Sequence, residues 1–264
     1  MKTLLPALSL SLLAVLAAPS PARAGPVLDR VKAAGVVKGC IWPDYYGITW
    51  RNPRTQQLSG IDIELSAEFA KDLGVKLQYV ESAFPKLIDD LLGDRCDVSM
   101  HAVAVLPARS EKLRFSQPYL QSDIYGITTR SQRAIKRWED IDQPGVQVAV
   151  QAGTFMEPVM AGALKQATMV VVRPPQTREG ELEAGRVDVF MTDYPYSRRL
   201  LDNADWARLV TPTRTFHVLP YAYAVKPGDD EWLAQVNDFV ARIKRDGRLA
   251  RAAQRFGLSE IVVR

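Results

Sequence analysis

Two charged side chains follow apolar runs of this sequence, at points where a buried strand would end. Arg109 comes after the run 98–105, and Asp193 ends the run 187–193. A guanidinium can bind a carboxylate through two parallel charge-assisted hydrogen bonds, so Arg109 is a candidate anion-binding residue. The alternative is that a helix begins here and carries Arg109 as an exposed charge. Asp193 can also be the N-cap of a helix that begins near Pro195.

A third candidate is the turn "QAGT", residues 151–154, which joins a predicted strand to a predicted helix. Free backbone N–H groups at such a helix start suit a carboxylate, which makes Gly153 and Thr154 candidates for ligand contact. The alternative is a tight turn that meets no ligand.

These candidates require a frame of alternating strands and helices. A short β-rich run (36–42) precedes a helical pattern (61–74), a strand (75–80), a second helical pattern (84–95) and the apolar run that precedes Arg109. This order predicts a parallel sheet with covering helices. A second unit of the same kind follows, and a long helical pattern interrupted at Gly247 ends the chain.

The fold prediction is therefore α/β, with two lobes that each contain a mainly parallel sheet with helices on both faces. Residues 25–121 and 220–264 are assigned to lobe 1, and residues 122–219 to lobe 2. Ligands of open α/β sheets bind beyond the carboxyl ends of the strands. Arg109 and Asp193 can therefore face one cleft from opposite lobes.

The first 24 residues have the three parts of a secretory signal peptide. Lys2 is followed by the apolar run 4–18 and by "ARA" before Gly25. The prediction is export to the periplasm with cleavage after Ala24; an uncleaved membrane anchor is the alternative. Cleavage lowers the net charge from +4 to +2, which is too small to indicate nucleic-acid binding.

Cys40 and Cys96 are the two cysteines of the chain. Export to an oxidising compartment favours a disulfide. If both residues lie on parallel neighbouring strands, they are about four residues out of register, roughly 13 Å apart, which is too far for a bridge. The pairing stays open. Two cysteines and two histidines offer no metal-ligand spacing, so neither a metal nor a cofactor is predicted.

Six stretches in order resemble the family 3 solute-binding proteins, the polar amino acid type of the ABC transporters: "GIDIELSAEFAKDLG", "FPKLIDDLLGDRCDV", "LPARSEKLRFSQPYL", "VAVQAGT", "GRVDVFMTD" and "YAYAVKPGD". The resemblance implies two lobes joined by two crossing strands, with the ligand held between them. It implies that Arg109 grips the ligand α-carboxylate and that Asp193 takes the α-ammonium. Tyr45 and Phe84 match ligand-packing positions.

The sequence also departs from the family pattern. A hydroxyl residue usual five positions before the arginine is Ala104 here, and Ser, Thr or Gly is common where His101 and Ala102 stand. His101 would bring a titratable ring into the pocket; the alternative is a core histidine. An acid common at the Trp42 position is absent. Trp42, Tyr45, Phe84 and Phe155 therefore predict an aromatic pocket, although such rings can simply be core.

The resulting function prediction is a monomeric periplasmic binding protein, not an enzyme. It would capture an amino-acid-like or carboxylate ligand and deliver it to a membrane ABC permease, without nucleic-acid partners. Two alternatives stay open. One is an accessory protein of a periplasmic quinoprotein dehydrogenase system, because the "GC" strand end and "RCDV" resemble, more weakly, the binding-protein-like partners of such dehydrogenases. The other is a cyclohexadienyl dehydratase-like enzyme, in which His101 or Asp193 would be the general acid.

Overall fold

A computed structural model describes residues 25–264 of the chain, and the predicted signal peptide lies outside them. Helices α1–α9 span Pro26–Ala34, Ile61–Leu73, Leu87–Leu92, Pro107–Ser110, Met156–Ala163, Arg178–Glu183, Tyr194–Leu201, Asp230–Arg245 and Arg248–Arg255. Strands β1–β14 span Val36–Ile41, Asp44–Tyr45, Thr49–Arg51, Leu58–Ser59, Lys76–Glu81, Val98–Ala104, Arg114–Phe115, Leu120–Ser122, Ile124–Thr129, Gln147–Gln151, Thr168–Val172, Val189–Asp193, Ala207–Val210 and Leu219–Val225. Within this part of the chain, no helix is long and apolar enough to cross a membrane.

Two sheets organise the chain. The first has the order β5-β1-β6-β14-β7, with β8 also paired to β14, and the second has the order β11-β10-β12-β9-β13. We call the parts that carry them lobe 1 and lobe 2. Each sheet has three parallel strands, completed by antiparallel ones. The predicted two-lobe α/β fold is confirmed.

The chain passes between the two lobes at two places. β8 lies in the first sheet and β9 in the second, with only Asp123 between them. The return from β13 to β14 brings the chain back to lobe 1, where α9 lies against α2. Arg248 of α9 donates to Asp72 of α2 at 3.0 Å. Few crossings of this kind permit hinge motion between lobes.

Strand β6 occupies the centre of lobe 1, between β1 and β14. All seven of its residues are buried, which explains why its sequence is an apolar run rather than an alternation. α4 begins directly after it and carries Arg109. A small sheet of β2, β3 and β4 lies between β1 and α2.

Cys40 and Cys96 form a disulfide, with their Cα atoms 5.6 Å apart. The register estimate made from the sequence was wrong for a local reason. Cys40 pairs with Ser99, so Cys96 is three residues away along the chain. β6 begins only at Val98, however, and Cys96 belongs to the preceding loop. The rise of an extended strand therefore does not apply to it.

Candidate functional site

A small pocket lies between the lobes, at the carboxyl ends of β6 and β12. It is lined from both lobes by Trp42, Tyr45, Phe84, Ala102, Ala104, Thr154, Phe155, Met156, Arg178, Thr192, Asp193 and Tyr196. The cavity measures about 20 Å³, which is room for about one water molecule. The lobes are therefore closed over it. Six of the eight predicted ligand-binding residues line this pocket, and their binding roles stay predictions.

Arg109 lies at the edge of the pocket and is buried, with 6% of its surface exposed. Its alternative reading as an exposed charge is therefore wrong. The guanidinium donates to the Ala104 carbonyl of lobe 1 and to the Gly153 carbonyl of lobe 2, each at 2.8 Å. It also lies 5.3 Å from the Phe84 ring centroid. Burial lowers the pKa of Arg109 to about 10, so it stays charged at neutral pH.

No carboxylate among residues 25–264 forms an ion pair with Arg109. A buried cation that only carbonyl groups satisfy is poorly compensated. Both carbonyl contacts are of a kind that a ligand carboxylate can replace with stronger charge-assisted bonds.

Asp193 ends β12 and is buried in the pocket. One carboxylate oxygen accepts the Tyr196 N–H at 3.1 Å, which caps α7 as the sequence predicted. The other accepts the hydroxyl groups of Tyr45 and of Tyr221, the latter at 2.7 Å. Both tyrosines belong to lobe 1, so they fasten the lobes together. Burial raises the pKa of Asp193, while these hydrogen bonds oppose the shift.

Three aromatic rings of lobe 1 form one side of the pocket. The Trp42 ring lies 5.4 Å from Tyr45 and 5.3 Å from Phe84, in tilted and edge-on arrangements. Such pairs are the preferred geometry for aromatic contacts. Phe155 faces them from lobe 2 and lies 6.1 Å from Tyr221. The predicted aromatic character of the pocket is therefore present in the structure.

His101 does not line the pocket, because the Phe84 ring stands 5.1 Å from it on the same side of β6. Its Nδ1 lies 3.2 Å from the Cys40 carbonyl and 3.0 Å from the Ser99 hydroxyl. Its Nε2 is buried without a partner among the described residues. Burial lowers the pKa of His101 to about 4, so the ring is neutral at neutral pH. The expectation of a titrating pocket residue does not fit this position.

The turn at Gly153 and Thr154 also differs from its prediction. The Gly153 N–H donates to the Glu157 carboxylate at 2.7 Å, and the Thr154 N–H donates to the Gln151 carbonyl. α5 begins only at Met156. The backbone donors that suit a carboxylate are therefore already used inside the turn, although Thr154 itself lines the pocket.

Gly153 is the point where the lobes approach most tightly at this turn. Its φ is +73°, and a Cβ built there would stand 2.7 Å from the Pro85 nitrogen of lobe 1.

Gly153→Ala should therefore hinder closure and weaken ligand binding about tenfold or more, because closure would force backbone atoms apart. Calorimetry with the tightest-binding amino acid or carboxylate measures this. Gly185→Ala is the control, since it has a similar φ with open space around it. Equal affinities for the two variants would contradict the closed geometry.

Ala102 has an unusual backbone conformation in the middle of β6, with a φ of +49°. The N–H of Ala102 donates to the Asp62 carboxylate at 2.9 Å, and Tyr119 and Tyr223 also donate to it, at 2.5 and 3.0 Å. Left-handed conformations are rare for residues other than glycine and persist where surrounding contacts hold them. Asp62 thus holds the bend that turns Ala102 toward the pocket.

Asp62 should make the stability of the protein depend on pH. Burial raises the pKa of Asp62 from 3.8 to about 7. Between these values the folded protein keeps a proton that the unfolded chain has released, so stability falls as pH rises. The loss between pH 5 and pH 8 should be about 3 kcal/mol. Asp62→Asn cannot ionise and should lack this loss. Urea unfolding at both pH values tests it; equal losses in wild type and variant would contradict it.

Arg178 is a pocket residue that the sequence analysis missed. It is buried, donates to the Met191 carbonyl at 2.8 Å and lies between two rings, 5.2 Å from Phe190 and 4.6 Å from Tyr196. It is the first residue of α6, where a cation opposes the helix dipole. That unfavourable position was the available signal that Arg178 has another role.

Comparison with known proteins places the chain in a family. The model of "bacterial extracellular solute-binding proteins, family 3" matches residues 37–259. A cyclohexadienyl dehydratase of Pseudomonas aeruginosa is 30% identical over 232 residues, which are 85% of this chain and 86% of that protein. The L-cystine-binding protein TcyJ of Escherichia coli is 24% identical over 230 residues, 87% of this chain and 85% of TcyJ.

Solved structures give the same fold. The crystal structure of the ancestral amino acid-binding protein AncCDT-1, a precursor of cyclohexadienyl dehydratase, has a TM-score of 0.79 at 28% identity and covers 87% of this chain and 98% of its own. The L-arginine-bound protein AbpA of Streptococcus pneumoniae has the same TM-score at 22% identity, over 88% of this chain and 98% of its own. The chain described here belongs to family 3 of the bacterial extracellular solute-binding proteins.

Proposed function

We propose that this protein is exported to the periplasm, captures a small amino-acid-like or carboxylate ligand between its lobes, and delivers it to an ABC permease. The observation that carries the proposal is Arg109, a buried guanidinium at the interlobe pocket with no carboxylate partner among the described residues. Arg109 of lobe 1 lies against the Gly153 carbonyl of lobe 2, so a ligand bound at Arg109 would lie where the two lobes meet, and its binding would be coupled to their closure. Binding proteins for amino acids among the relatives support the same reading.

A panel of the amino acids and small carboxylates tests the capture step. Mature protein starting at Gly25 is titrated calorimetrically with each compound, and the tightest binder is then added during small-angle X-ray scattering. Binding with compaction of the particle is expected, because the ligand favours the closed form. Absence of binding by every compound would contradict capture, and tight binding without compaction would contradict the hinge. Co-purification tests delivery against the accessory role. A permease partner would support delivery, and a quinoprotein dehydrogenase partner would support the accessory role.

A second candidate function is dehydration of a cyclohexadienyl acid. Two observations favour it: the similarity to a cyclohexadienyl dehydratase, and a buried carboxyl group in the pocket, Asp193, whose pKa is raised by burial. A carboxyl group with a raised pKa is better suited than an ordinary one to act as a general acid toward a leaving hydroxyl group. Incubation with a cyclohexadienyl acid, followed by ultraviolet absorbance of an aromatic product, tests it. Turnover that Asp193→Asn abolishes would establish the enzyme, and absence of turnover would leave the binding function.

A further inference from the structure

Arg178 of lobe 2 is a second buried guanidinium at the interlobe pocket. Its side chain lines the pocket, with 3% of the residue exposed, and lies over the rings of Phe190 and Tyr196. A guanidinium has five N–H donors. Among residues 25–264, the Met191 carbonyl is the acceptor that Arg178 reaches. Most of its hydrogen-bonding capacity is therefore left for a group that enters the pocket.

The two guanidiniums approach one cavity from opposite lobes. Arg109 donates to the Ala104 carbonyl and lies over the Phe84 ring, and both Ala104 and Phe84 line the cavity. Arg178 lines the same cavity from lobe 2. Because the cavity has room for about one water molecule, groups on its opposite walls lie close together in the closed form. One small ligand can therefore contact both arginines.

The pocket has more positive than negative charge. Among the described residues, Asp193 is the one carboxylate in its lining. Its oxygens accept the hydroxyl groups of Tyr45 and Tyr221 and the Tyr196 N–H, and neither arginine donates to them. Neither guanidinium forms an ion pair within residues 25–264. Two buried cations against one carboxylate leave a positive charge without a partner, which is unfavourable in a site shielded from water.

Two acids near Arg178 face a neighbouring groove instead of the pocket. Asp44 of lobe 1 and Glu179 of lobe 2 line this outer groove. Arg178 lines both spaces but forms an ion pair with neither acid. The Glu179 carboxylate accepts the Tyr196 hydroxyl at 2.6 Å. Because these acids would repel an anion in the outer groove, a second anionic group is favoured on the inner side of Arg178, next to the cavity.

We propose that the ligand carries two carboxylate groups, of which Arg109 binds the first and Arg178 the second. Each guanidinium can hold a carboxylate through two parallel charge-assisted hydrogen bonds. Such a ligand joins lobe 1 to lobe 2 by a charge pair at each end, so it favours the closed form. Short diacids and acidic amino acids have the required groups. This inference rests on the proposed capture of a small ligand at Arg109 and specifies its chemical class.

Matched pairs in which the second carboxylate is replaced by an amide of the same size test the inference. The pairs are L-glutamate with L-glutamine, L-aspartate with L-asparagine, glutarate with glutaramate, and succinate with succinamate, each titrated calorimetrically. The wild type should bind at least one dicarboxylate about tenfold or more tighter than its amide, because the amide brings no charge to Arg178. If no pair shows this preference, the inference is overturned, while capture is judged separately by the wider panel.

Variants at Arg178 test its role within the preferred pair. Arg178→Gln should reduce the preference for the dicarboxylate by about tenfold and change binding of the amide little, since only the charge on the second carboxylate loses its partner. Arg178→Lys keeps the charge without the planar fork and should retain part of the preference. Arg186→Gln is the matched control, because Arg186 also belongs to lobe 2 but is exposed and paired with Glu181.

The readout is a ratio of affinities within one pair, so a general loss of stability does not imitate it. Arg109→Ala should instead weaken both members of the pair, which separates the second binding position from the first. Melting curves check that each variant folds. An unchanged ratio in a folded Arg178→Gln protein, or in Arg178→Lys if the former does not fold, would overturn the inference.

Discussion

Replacing Arg109 by alanine should weaken ligand binding by about 2–5 kcal/mol, the usual range when one partner of a buried charge pair is removed. In the structure the guanidinium donates hydrogen bonds to two carbonyl groups, one from each lobe. A ligand carboxylate would replace them with shorter, charge-assisted bonds in a site shielded from water. Alanine leaves that carboxylate buried without the guanidinium that would hold it. Calorimetry with the tightest binder of the panel measures the difference.

Two further variants make the result interpretable. Arg109→Lys keeps the charge but loses the planar fork, so its affinity should lie between wild type and alanine. Arg114→Ala removes an exposed arginine nearby and should bind like wild type. Melting curves of each variant check the fold. Wild-type affinity in a folded Arg109→Ala protein would refute the assignment of Arg109 to the ligand carboxylate.

Removing the Cys40–Cys96 disulfide should lower the free energy of unfolding by about 4 kcal/mol, because the bridge closes a loop with a sequence separation of 56 residues and restricts the unfolded chain. The bridge also fixes the end of β1, from which the chain enters the pocket at Trp42. Urea unfolding of the Cys40→Ser/Cys96→Ser double variant measures the loss. The double variant should still form the pocket, but it should bind ligands that contact Trp42 more weakly than the wild type does.

Reductant provides the matched control. Dithiothreitol should destabilise the wild type toward the double variant and leave the double variant unchanged. If the two proteins unfold at the same urea concentration without reductant, the bridge does not stabilise the fold.

The sequence was most informative where local pattern and topology coincide. The apolar run 98–105 predicted a buried strand, which the structure contains as β6, and the rule that ligands bind beyond strand ends then predicted that Arg109 faces the cleft. Asp193 followed from the same reasoning in lobe 2. The position of both side chains near the interlobe pocket could be predicted because it requires only the order of strands and helices, not the register of one strand against another; their binding roles stay predictions.

The failures depended on geometry that no local pattern fixes. The disulfide could not be decided because the register estimate treated Cys96 as part of a strand, whereas it lies in a loop just before β6, where the rise of a strand does not hold. Arg178 was overlooked because its helix reads as an exposed, charged surface segment, while its burial depends on how Phe190 and Tyr196 pack around it. The position of His101 behind Phe84 likewise depends on side-chain packing between elements.

A crystal structure with the tightest-binding compound of the panel tests most directly that the ligand is held between the lobes. We expect the carboxylate oxygens within hydrogen-bond distance, about 3 Å, of the Arg109 guanidinium. We also expect the apolar body against Trp42, Tyr45 and Phe84, with Asp193 facing it from lobe 2. A ligand bound outside the interlobe pocket, or inside it without contact to Arg109, would contradict the account.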